Sequence, residues 1–70
     1  MEKFVYIIID SETGESDSFE GVFDTSELAI QAAKETEMIL FTREVFKVKL
    51  NKVGNIYWEK PIFIMENKKS

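Results

Sequence analysis

Phe19-Glu20-Gly21-Val22-Phe23-Asp24-Thr25-Ser26-Glu27-Leu28-Ala29-Ile30-Gln31-Ala32-Ala33 is the stretch on which the fold turns, because the apolar period changes inside it. Up to Phe23 the residues alternate, which predicts a short strand from Ser18 with Phe19, Gly21 and Phe23 on one face. From Leu28 the spacing is helical: Leu28, Ala29, Ala32 and Ala33 make one stripe, while Gln31, Lys34 and Glu35 face solvent. Alanine in that stripe lets the helix lie close to a sheet. Between the two patterns, Asp24 reads as the N-cap with Glu27 at N3, a capping box that also puts acids at the positive end of the helix dipole. The helix ends between Thr36 and Leu40, where Met38-Ile39-Leu40-Phe41 either closes the helix or opens a strand.

Upstream, Lys3 to Asp10 reads as a strand with Val5, Ile7 and Ile9 on one face and Phe4, Tyr6 and Ile8 on the other. A strand apolar on both faces is normally central in its sheet. A polar turn, Ser11 to Asp17, joins it to the next strand as a loose hairpin. Downstream, Thr42 to Leu50 alternates, with Phe46, Val48 and Leu50 inward and Val45, Lys47 and Lys49 outward. Asn51 to Asn55 reads as a hairpin loop around Gly54, and Ile56 to Met65 as a last strand broken by Pro61. Proline lacks the ladder N–H, so this strand belongs at the sheet edge. Residues 1–66 form one domain, with a frayed polar tail at 67–70.

Two hairpins joined by a helix fold most simply with the third strand beside the first. The predicted class is α+β: a ββαββ chain with a four-stranded antiparallel sheet, order 2-1-3-4, and one helix packed on one face. One short helix covers only one face. Tyr6, Tyr57, Trp58 and Phe63 lie in strands apolar on both sides, so something is expected to cover the second face at least in part.

Charge is divided unevenly. Residues 1–33 hold eight acids and one base, a net of −7; residues 34–70 hold five acids and eight bases, a net of +3, which together give −4. Such asymmetry points to an interaction surface more readily than to a reaction site. The chain has no Cys and no His, which removes disulfides, thiolate zinc sites, the usual general base and the commonest metal ligand. No cofactor, metal or catalytic residue is expected. The acid-rich turn fails as a calcium loop: counted from Asp10, Gly14 stands at position 5, Glu15 at 6 and Gly21 at 12. The apolar run from Phe4 to Ile9 is too short for a signal-peptide core or a membrane span, so the expected location is cytoplasmic.

The candidate contact residues are Glu12, Glu15, Asp17 and Glu20 in the acidic stretch, and Tyr57 and Trp58 as aromatic anchors. Carboxylates spaced along a hairpin suit a protein partner with a basic surface. Lys47, Lys49, Lys52 and Lys60, near Tyr57 and Trp58, are a possible basic cluster, but the net negative charge opposes nucleic-acid binding. The competing role for these lysines is to protect an exposed sheet edge against aggregation.

Phe4-Val5-Tyr6-Ile7-Ile8 followed by Glu20-Gly21-Val22-Phe23-Asp24-Thr25-Ser26-Glu27-Leu28-Ala29 resembles a group of small bacterial and phage proteins with a strand, a G-V-F-(S/D)-(S/T)-x-E-x-A turn into a helix, and a closing Lys- and Glu-rich strand. The resemblance covers the first half and part of the third strand; the last hairpin, with Trp58 and Pro61, departs from it. It implies a ββαββ fold and no catalytic residues. The resulting expectation is a non-catalytic, protein-binding module, such as a phage- or mobile-element-encoded inhibitor of a host enzyme or defence system. A self-assembling homo-oligomer, a homodimer included, is the alternative, with nucleic-acid binding or ligand sequestration behind it.

Overall fold

The computed structural model describes residues 3–12, 16–38, 40–55 and 59–67. Their elements run β1 (Phe4–Glu12), β2 (Ser16–Phe23), α1 (Ser26–Glu35), β3 (Thr42–Lys49) and β4 (Phe63–Glu66). The four strands form one antiparallel sheet in the order β2-β1-β3-β4, and the single helix packs on one face. This is the ββαββ α+β architecture expected from the sequence. The central strand β1 has the strongest apolar pattern, and β4 lies at an edge.

Beneath the helix, Ile8 and Val45 meet Ala29 and Ala33, and Tyr6, Phe23, Ala32, Phe63 and Met65 complete the core. Ala29 and Ala33 have no exposed surface, as close helix–sheet contact requires. Leu28, read as part of the same stripe, is 50% exposed at the helix rim instead.

Local chemistry corrects four further sequence readings. The N-cap is Thr25, not Asp24: its extended backbone (φ −133°, ψ 150°) lets Oγ1 accept from the Leu28 amide at 3.2 Å. This puts Glu27 at N2, so the capping box does not form. In β2 the register shifts between Ile8↔Gly21 and Ile9↔Phe19, leaving Glu20 as an extra residue. That β-bulge turns Phe19 to the face opposite Gly21 and Phe23. In β3 the inward and outward sets are exchanged, since Val45 packs under the helix while Phe46, also buried, lies on the other face. Finally, β4 runs only from Phe63 to Glu66, with Pro61 just before it, while residues 56–58, the start of the strand read from the sequence, lie outside the described residues.

The helix stops at Glu35 with Thr36 as its C-cap, and residues 37, 38, 40 and 41 belong to neither helix nor strand. Asn51 sits at φ 63°, in the left-handed region that Asn tolerates, where the chain turns away from β3. The Asn67 amide donates to the Phe41 carbonyl at 2.7 Å, which ties the chain to the sheet one residue past β4. Among the described residues no helix is long and apolar enough to cross a membrane.

Candidate interaction surface

Strand pairing fixes which side chains share each face, because directly paired residues point the same way. On the face without a helix, one row holds Phe19, Ile9, Glu44 and Ile64, and the next holds Val22, Ile7 and Phe46. Val5 and Val48 follow in the next row. At the opposite border stand Asp17, Ser11, Thr42 and Glu66. Ile9 and Phe46 are buried at the centre, while Phe19 (62%), Val22 (53%) and Ile64 (57%) are open to solvent. Among the described residues no helix or strand lies on this face. The result is an apolar sheet surface with three carboxylates, Asp17, Glu44 and Glu66, at one end.

The opposite face holds a polar group of another kind. Asp10 and Arg43 are cross-strand partners on β1 and β3, and both are fully buried. Arg43 Nε donates to Asp10 Oδ1 at 2.5 Å and Nη2 to Oδ2 at 2.8 Å, a bidentate fork. The remaining donors reach the helix end: Nη1 to the carbonyls of Ala33 (3.0 Å) and Thr36 (3.1 Å) and to Thr36 Oγ1 (2.7 Å), and Nη2 to the Glu37 carbonyl (3.1 Å). A cation therefore satisfies carbonyls that the helix terminus leaves over, at the negative end of its dipole. The hydrogen bonds that Arg43 donates to Asp10 raise its pKa above the ordinary guanidinium value, burial opposes the rise, and the charges of Asp10 and Glu20 add to it. This closed, saturated pair is a structural latch between helix and sheet.

Of the sequence-predicted contact residues, the three that are described, Glu12, Asp17 and Glu20, do not share one face. Asp17 borders the helix-free face. Glu12 pairs with Ser16 at the end of β1, on the helix side of the sheet by strand alternation. Glu20, in the bulge, accepts a hydrogen bond from the Ser18 hydroxyl and contributes to the field at Arg43. Glu15, Tyr57 and Trp58 lie outside the described residues. Sequence reasoning missed Phe19, Val22 and Ile64 as exposed apolar residues, and it missed Arg43 altogether. The available signal for the latch was slight: the only arginine of the chain and an aspartate closing an apolar run. Among the described residues no three or more acidic side chains converge to hold a metal ion. No protein-family model, curated protein or solved structure matches this chain.

Proposed function

We propose that this chain is a non-catalytic protein-binding module that engages its partner through the helix-free face of the sheet. The observation that carries the reading is the exposure of Phe19, Val22 and Ile64 on the helix-free face, around the buried Ile9 and Phe46. Four strands about 4.8 Å apart and five residues at about 3.3 Å rise give a face of roughly 300 Å² in projection. Apolar patches of that order, rimmed by polar residues, mark contact sites on small proteins. Asp17, Glu44 and Glu66 select the partner, favouring an apolar patch bordered by Lys or Arg. The resemblance to phage proteins extends the proposal to a cytoplasmic inhibitor of a host enzyme or defence protein. Self-assembly through the same face is the competing reading.

The test compares the wild type with a Phe19→Lys/Ile64→Lys variant as baits in a lysate of the source organism. The expected result is a stoichiometric partner that the wild type retains, that can be reconstituted from purified components, and that the variant binds at least tenfold more weakly. Equal binding by both baits removes this face as the contact surface.

A further inference from the structure

At the end of the sheet where β1 starts and β3 finishes, a cavity of about 450 Å³ opens between the sheet and the chain that follows β3. Phe4, Lys47, Lys49, Lys52, Lys60 and Ile62 are among its walls. Its volume lies within the roughly 300–1,000 Å³ typical of small-molecule sites. The lysines suggested by the sequence as a cluster do converge here. They are four of the eight in the chain, and Glu59 is the one acid among the described lining residues, so these carry a formal +3 in a molecule of net −4. Lys47 Nζ stands 4.2 Å from the centroid of the Phe4 ring, a cation–π contact that holds one ammonium group at the cavity wall.

We infer that this cavity binds a compact polyanion with an apolar part, of the nucleoside di- or triphosphate class. Lys47, Lys52 and Lys60 bring three ammonium groups to one space, and a multiply charged anion is attracted by all three. Phe4 and Ile62 supply an apolar wall for the heterocycle. Size separates a nucleotide from a nucleic-acid strand. Screening over about 8 Å at physiological salt means that a ligand inside the cavity feels mainly the local lysines. A strand running on across the molecule would meet the acidic remainder, where like charge opposes binding.

The test is isothermal titration calorimetry of the full chain at low salt, with ATP, inorganic pyrophosphate and a single-stranded oligonucleotide as probes. Lys52→Glu/Lys60→Glu is the test variant, since both side chains are exposed and the fold does not depend on them. Lys34→Glu, on the helix and outside the cavity, is the single-reversal control. Saturable one-to-one ATP binding is expected, weakened at least tenfold in the double variant, less than twofold in the control, and several-fold between 50 and 300 mM salt, estimates that follow from loss of direct charge contacts. No saturable ATP binding at millimolar concentration, or an equal loss in the control, overturns the site. Pyrophosphate binding as tightly as ATP overturns the nucleoside part, and tighter binding of the oligonucleotide overturns the choice of a compact ligand.

Discussion

Arg43 and Asp10 form a buried ion pair that neither partner can leave without cost. Removing one partner strands a buried charge, which costs about 3–5 kcal/mol in comparable pairs. A chain of this length has a total stability of roughly 3.5–10 kcal/mol at the usual per-residue values. Asp10→Ala or Arg43→Ala is therefore expected to leave the protein marginally folded, as read from the urea midpoint. The double replacement Asp10→Leu/Arg43→Met removes both charges together and should cost less than either single change. If the double variant is the least stable of the three, the pair is not the coupled unit described above. The raised Arg43 pKa sets the sign of any pH effect: its contribution is complete below the ordinary guanidinium value and is lost only as pH rises past the higher folded one. Alkaline unfolding below pH 12 must arise elsewhere in the chain.

Elements were legible in the sequence where one physical preference acted alone, and misread where two competed. The helix stripe placed Ala29 and Ala33 correctly because helical periodicity and small side chains agree there. The N-cap was displaced because Asp24 and Thr25 are both good caps, and only backbone geometry decides between them. Thr25→Ala should cost about 1 kcal/mol in thermal or urea unfolding, against less than about 0.5 kcal/mol for Asp24→Ala. The reverse order would return the cap to Asp24. Phe19 was put on the wrong face because no alternation pattern reveals a bulge; one extra residue reverses every side chain on one side of it. The same ambiguity exchanged Val45 with Phe46, since both faces of β3 hold buried apolar residues. That exchange concealed Arg43, which shares Val45's face, and with it the latch to the helix.

At the scale of the molecule, the division of charge along the chain becomes a division in space. Glu12 and Asp17 stand where β1 meets β2, and the lysine-lined cavity stands at the opposite end of β1. Along β1 the separation is about 26 Å at about 3.3 Å per residue. That is several screening lengths of about 8 Å in physiological salt, so neither end neutralises the other. Association with a basic partner should therefore slow as salt increases, while the apolar contact at Phe19, Val22 and Ile64 keeps the dissociation rate nearly constant. The central claim is that the helix-free face is open to a foreign protein and not consumed by a second copy. Absolute mass by size-exclusion chromatography with light scattering, at low and at high salt, tests it most directly. The account predicts the monomer mass of 8.2 kDa in both. A species of twice that mass, persisting at high salt and dissociated by Phe19→Lys/Ile64→Lys, would contradict it.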